Sequence, residues 1–142
     1  MRFVAAFLLF TAGLAMGAEQ RTIAELKQRA MAARPSEQPK LFLDIAERQL
    51  KTVDDAYRGG YIEQGHAALE DVAAYCEQAG VAATTTRKYL KQTEIRIRDM
   101  SRRLEALRQL LSFDDREPLA RAIARMEKVR SDLLNAMFGL QS

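Results

Sequence analysis

A seven-residue repeat of apolar and small residues runs from Ile62 to Leu111. The spacing alternates between three and four residues, and no proline interrupts it. Such spacing places one set of side chains on a single face of an α-helix, where they pack against partner helices along its length. We call this set the heptad seam; its members are Ile62, Gly65, Leu69, Val72, Cys76, Ala79, Ala83, Thr86, Leu90, Thr93, Ile97, Met100, Leu104, Leu107 and Leu111.

The seam predicts one long central helix over about 62–111, roughly 75 Å long at about 1.5 Å per residue. Its weakest part lies between Ala79 and Thr86, because Gly80 costs about 1 kcal/mol relative to Ala in a helix. Gly80 either lies within the helix or breaks it, and the unbroken phase of the seam on both sides favours a continuous helix. A continuous helix predicts that Gly80→Ala stabilises the protein by about 0.5–1 kcal/mol.

Two shorter amphipathic helices flank the central one. The first is predicted over 39–58, where Pro39 suits the first turn and Gly59 and Gly60 end the helix. The second is predicted over 118–137, between Pro118 and Gly139. Because short links make consecutive helices antiparallel, the predicted fold is an all-α antiparallel helical bundle, or coiled coil, built on the central helix.

The N-terminal residues have the layout of a signal peptide. Residues 1–18 combine Arg2, an apolar run over 3–14 and small residues up to Ala18. An uncleaved membrane anchor is the alternative, but the run is shorter than the roughly 20 residues that a span needs. Cleavage after Gly17 or after Ala18 fits this pattern, and we expect the latter, which gives a periplasmic or secreted protein.

The remaining chain divides into three predicted parts. Residues 19–38 form a helix capped by Thr22, followed by a proline-containing linker that leaves this helix loosely docked. Residues 39–139 form the helical domain, and residues 140–142 form a frayed C-terminus. The chain is 48% hydrophobic and 29% charged, which indicates a globular protein rather than a disordered one.

Five residues at the first predicted turn are similar to those of a tetratricopeptide-type helical hairpin. They are Ala56, Gly60, Ile62, Gly65 and Leu69. The resemblance covers residues 42–72, but the proline that ends such a repeat is missing near Glu77 and no second copy follows. Peptide binding is therefore not inferred from it. As a whole, the chain resembles small helical proteins exported by Gram-negative bacteria, a resemblance that implies no particular function.

The sequence predicts no catalytic, cofactor or metal site, and hence no enzyme. His66 could share a helix face with Glu63 and Glu70, but a structural zinc site needs four ligands. Acidic residues near a helix N-terminus are also expected without a metal, because they interact favourably with the helix dipole. No glycine-rich phosphate loop is present. The single Cys76 has no partner for an intrachain disulfide. It is either a small buried hydrophobe or a site of intermolecular disulfide formation.

Charge is unevenly distributed along the chain. Residues 37–77 contain nine acidic and four basic residues, whereas residues 78–111 contain eight basic and three acidic residues. This predicts a molecule that is electrically polar along its length. Pairs such as Glu94–Arg98 and Asp99–Arg103 would instead make a neutralised surface. The candidate interaction face comprises Lys88, Arg96, Arg98, Arg102, Arg103 and Arg108.

Two functions follow as hypotheses. The first is a non-enzymatic, exported module that binds a partner protein, or a second copy of the chain through the long helix. The second is a cell-envelope holdase-like or anionic-surface-binding module that uses the basic half of the long helix. Nucleic acid is not an expected partner of an exported protein. High salt separates the two, because a charged contact weakens with salt and an apolar one does not.

Overall fold

The computed structural model describes residues 21–139, which fold into helices without a β-strand among them. The helices are α1 (21–32), α2 (Gln38–Arg58), α3 (Ile62–Thr86), α4 (Leu90–Leu110) and α5 (Arg116–Phe138), with a 3₁₀ turn over Phe113–Asp115 before α5. The all-α prediction is confirmed, and the two flanking helices appear as α2 and α5. The predicted signal peptide and the predicted frayed C-terminus lie outside the described residues.

Helices α2 to α5 form two antiparallel hairpins. In the first, α2 and α3 run in opposite directions, as the contact between Tyr57 near the end of α2 and His66 near the start of α3 shows. In the second, α4 and α5 are antiparallel and are joined by the ion pair between Glu94 and Arg130. Each hairpin closes through a short turn, as the glycines at 59–60 and the proline at 118 predict.

The two hairpins lie side by side and form a four-helix bundle. Helices α3 and α5 are parallel, since Glu70 and Glu77 pair with Arg125 while Arg87, after α3, bonds to a carbonyl late in α5. Helices α2 and α4 are also parallel and are joined through Arg96. Around the bundle the order is therefore α2, α3, α5, α4.

The predicted continuous helix over 62–111 is wrong. Helix α3 ends at Thr86, and the chain reverses before α4 begins at Leu90. The reversal uses left-handed backbone at Arg87 (φ 56°) and Tyr89 (φ 61°), and the Lys88 N–H donates to the Thr86 hydroxyl at 3.3 Å. The physical reason is burial: folding α4 back places its apolar face in the same core as that of α3, without a second chain.

The heptad seam nevertheless identifies the core correctly. Eleven of its members are buried: Gly65, Leu69, Val72, Cys76, Ala79, Ala83, Thr93, Ile97, Met100, Leu104 and Leu107. Helix α5 meets them with Leu119, Met126 and Leu133, each fully buried. A hairpin and a continuous helix need the same pattern of side chains, so the pattern could not distinguish them.

Helix α1 docks on the first hairpin and is not loose. Ile23 and Ala30 are buried, and Lys27 forms an ion pair with Asp71 at 2.9 Å while lying 5.4 Å from the centre of the Tyr75 ring. The helix already includes residue 21, so the prediction that Thr22 is its N-cap is wrong.

Gly80 lies within α3, and its lack of a side chain allows a close approach to α5. A Cβ atom at this position would overlap Cγ1 of Val129, which is itself buried and β-branched. The gain in helix propensity expected from Gly80→Ala is therefore opposed by overpacking between α3 and α5.

We predict that Gly80→Ala lowers the free energy of unfolding by about 1 kcal/mol. Overpacking costs about 1–3 kcal/mol, and the gain in helix propensity of about 1 kcal/mol offsets only part of that cost. In a Val129→Ala background the overlap is removed. The same change should then raise the free energy of unfolding by about 0.5–1 kcal/mol. Chemical denaturation of the four proteins tests this, and an effect of the same sign in both backgrounds would contradict the packing.

Candidate interaction surface

The structure separates the six cationic residues that the sequence grouped into one face. Arg96 and Arg103, seven residues apart, lie on the side of α4 that faces α2. Arg98 and Arg102, four apart, lie on its outer side. Arg108 is half-buried near the end of α4, and Lys88 is in the turn before it. The predicted face is therefore not a single surface.

Arg96 joins the two hairpins and is not free to bind a partner. Its guanidinium lies 2.8 Å from Asp44 Oδ1 and 2.9 Å from Glu47 Oε2, and its side chain is only 25% exposed. Burial alone would lower the pKa of Arg96, but the hydrogen bonds to Glu47 and Asp44 outweigh it and raise the pKa. This residue holds α4 against α2.

Arg98 and Arg108 are engaged within the second hairpin. Arg98 lies 3.6 Å from Glu94, which confirms the predicted pair, and Arg108 pairs with Glu105 at 2.5 Å. Glu94 is itself buried and accepts two hydrogen bonds from Arg130, at 3.2 and 3.0 Å. The predicted pair between Asp99 and Arg103 is not formed in the structure of residues 21–139.

Lys88, Arg102 and Arg103 are exposed, and none pairs with an acidic side chain of the described chain. The same is true of Lys91, which the sequence analysis did not include. Lys91 lies seven residues before Arg98 and eleven before Arg102, so the three form one line about 16 Å long on the outside of α4. We call Lys91, Arg98 and Arg102 the cationic stripe.

The chain reversal changes the predicted charge layout. Because the hairpins lie side by side, the acidic residues of α2 and α3 are beside basic residues of α4 and α5, and the molecule is not divided along its length. Arg125 illustrates this: it pairs with Glu77 at 2.5 Å and Glu70 at 2.7 Å. Its pKa is raised by the hydrogen bonds to Glu77 and then Glu70. No short-range sequence signal identifies this contact, which spans 48 residues or more.

The other candidate chemical groups are His66 and Cys76. His66 is exposed, and its ring lies tilted by 58° against that of Tyr57, with the ring centroids 5.7 Å apart. Cys76 is fully buried, and burial raises its pKa to about 12, so reaction at its sulfur requires the helices to separate. Within residues 21–139, no three acidic, histidine or cysteine side chains cluster closely enough to hold a metal ion.

Seven large apolar side chains are exposed among the described residues. They are Met31, Tyr61, Val81, Tyr89, Leu110, Phe113 and Phe138. Val81 also lines an open groove of about 440 Å³ between the α1–α2 linker and α3, together with Pro35, Phe42 and Ala82. Exposed apolar residues are ordinary on a protein surface and do not by themselves define a binding site.

The helices formed by residues 21–139 include none with the length and apolar character required for a membrane span. Comparison with known proteins gives no match to any family model, curated protein or solved structure.

We predict that Arg96→Gln lowers the free energy of unfolding by about 1 kcal/mol, because it leaves Asp44 and Glu47 side by side without their shared cation. The exposed Arg102→Gln, on the same helix, should change it by less than about 0.5 kcal/mol. Urea denaturation at low ionic strength measures both. Equal effects of the two substitutions would mean that Arg96 does not join the hairpins.

Proposed function

We propose that this protein is a non-enzymatic, exported interaction module that docks a negatively charged partner protein on the cationic stripe. The observation that carries the proposal is the exposure of Lys91 and Arg102, neither of which pairs with an acid of the described chain. Exposed cations of this kind steer acidic partners toward a surface and set the orientation in which they bind.

The structure around the stripe favours a rigid docking surface. Helix α4 is held on one side by Arg96 and on the other by the buried Glu94, which bonds to Arg130 of α5. The stripe therefore needs little ordering when a partner binds, and preorganisation of this kind raises affinity. The heptad seam, in contrast, is buried within the folded chain, so the closed monomer does not present it to a partner.

An anionic envelope surface is the second candidate. The half-buried Ile95 lies on α4 between Lys91 and Arg98, and Tyr89, 45% exposed, stands just before the stripe. Apolar and aromatic groups beside cations suit the boundary of an anionic bilayer, where each Lys or Arg near the surface contributes about 1 kcal/mol. The same stripe would then meet lipid head groups instead of carboxylates.

A matched pair of variants tests the proposal. Lys91→Gln/Arg102→Gln removes two charges from the stripe region, and Arg29→Gln/Lys40→Gln removes two exposed cations elsewhere that also lack an acidic partner in the described chain. Immobilised protein is exposed to envelope extract, and captured proteins are quantified by mass spectrometry. Vesicles with and without phosphatidylglycerol are tested in parallel.

We expect the stripe variant to lose acidic proteins that the wild type and the control variant retain, with an effect of about tenfold or more at low salt that disappears at high salt. Loss of vesicle binding alone would favour the anionic surface over a protein. Equal protein capture together with equal vesicle binding by the stripe variant and the control would contradict both roles of the stripe.

Export is part of the proposal and is supported by the signal-peptide pattern of residues 1–18. We expect the protein extracted from the cell envelope to begin at or near Glu19. N-terminal sequencing measures this directly. Protein that keeps its first 18 residues and stays in the inner membrane would be an anchored protein, contrary to the proposal.

A further inference from the structure

The turn between α3 and α4 is unusual because neither of its left-handed residues is glycine. Arg87 and Tyr89 both have positive φ, at 56° and 61°. A side chain on an L-residue is disfavoured in this conformation, and only glycine adopts it freely. The three-residue link therefore holds the chain reversal at an energetic cost that the rest of the bundle must offset.

The sequence of the same link is compatible with an uninterrupted helix. Arg87, Lys88 and Tyr89 include no proline or glycine, and Arg and Lys are good helix formers. The heptad seam keeps its phase across the link, since Ala83 is followed by Leu90 after seven residues. A helix passing through the link would keep the seam on one face, with a drift of only about 20° per heptad.

The contacts between the two hairpins do not require both to belong to one chain. Arg96 of the second hairpin meets Asp44 and Glu47 of the first, and Arg125 meets Glu70 and Glu77. These contacts form equally well if a second copy supplies the α4–α5 hairpin. Only the contacts of the turn itself, such as the Arg87 hydrogen bond to the Ala136 carbonyl at 3.3 Å, depend on the closed form.

We propose that two copies of this chain exchange their α4–α5 hairpins. In the exchanged dimer, α3 and α4 join through residues 87–89 into one helix, and each α4–α5 hairpin packs on the α1–α3 part of the other copy. A strained, short hinge favours such exchange, because straightening it removes the left-handed residues while keeping the core contacts. This dimer uses the buried seam, not the cationic stripe, and so stands apart from the proposed function.

The hinge residues give the first test. Wild-type protein is unfolded, refolded at about 1 mM and analysed by size-exclusion chromatography with light scattering, which should show a dimer that dissociates slowly on dilution. Arg87→Gly/Tyr89→Gly removes the strain of the left-handed turn and destabilises a helix through it. The dissociation constant of the dimer should therefore rise about 100-fold or more, which is roughly tenfold for each of its two hinges. Arg87→Ala/Tyr89→Ala should strengthen dimerisation.

A charge exchange distinguishes the proposed dimer from an ordinary one. Chains carrying Glu77→Arg are refolded together with chains carrying Arg125→Glu. In the exchanged mixed dimer, one half contains the native Glu–Arg pair and the other the reversed pair, so like charges no longer face each other in either half. The mixture should therefore melt several degrees above either variant refolded alone.

Two results would overturn the proposal. One is a wild type and an alanine variant that both remain monomeric after refolding at about 1 mM, the concentration used in the first test. The other is a dimer whose charge-exchanged mixture melts no higher than its components, which would show that each bundle is built from one chain.

Discussion

Burial of the heptad seam is the constraint on which the structure depends. Its two halves, in α3 and α4, each present an apolar face that must be covered, and the chain is long enough to cover both with its own α2 and α5. Reversal at residues 87–89 brings all four helices around one core. Within one chain, the close approach of α3 and α5 at Gly80 and the parallel pairing of the two hairpins follow from that reversal. The docking of α1 on α2 and α3 does not depend on it.

Charged contacts set how the hairpins fit together and which cations remain available. Arg96 and Arg125 each form ion pairs with two acidic residues of the opposite hairpin, with distances of 2.5–2.9 Å between guanidinium nitrogen and carboxylate oxygen. These contacts neutralise much of the acidic surface of α2 and α3. The outer side of α4 is turned away from both neighbouring helices, so Lys91 and Arg102 keep their charge exposed to solvent. The candidate surface therefore consists of the cations of α4 that the packing of the hairpins does not pair with acidic residues.

Local signals in the sequence identified much of the fold, and long-range contacts account for what it missed. Pro39, Gly59 and Gly139 lie close to the observed ends of α2 and α5, because these residues favour helix termini. The reversal after Thr86 has no such signal, since left-handed Arg and Tyr are rare and are selected only by the packing of the whole bundle. Arg96 was grouped with exposed cations because its partners lie about 50 residues upstream.

The reversal of the chain between α3 and α4 is the central claim, and a distance within a dilute monomer tests it most directly. Nitroxide labels on cysteines introduced at the exposed Gln64 and Gln109 mark the start of α3 and the end of α4. Pulsed electron spin resonance at micromolar concentration should give a distance below about 30 Å, because both positions lie at the same end of a bundle whose neighbouring axes are about 10 Å apart. A distance near 68 Å, which is about 1.5 Å for each of the intervening residues, would mean that the helix is continuous and would contradict the structure.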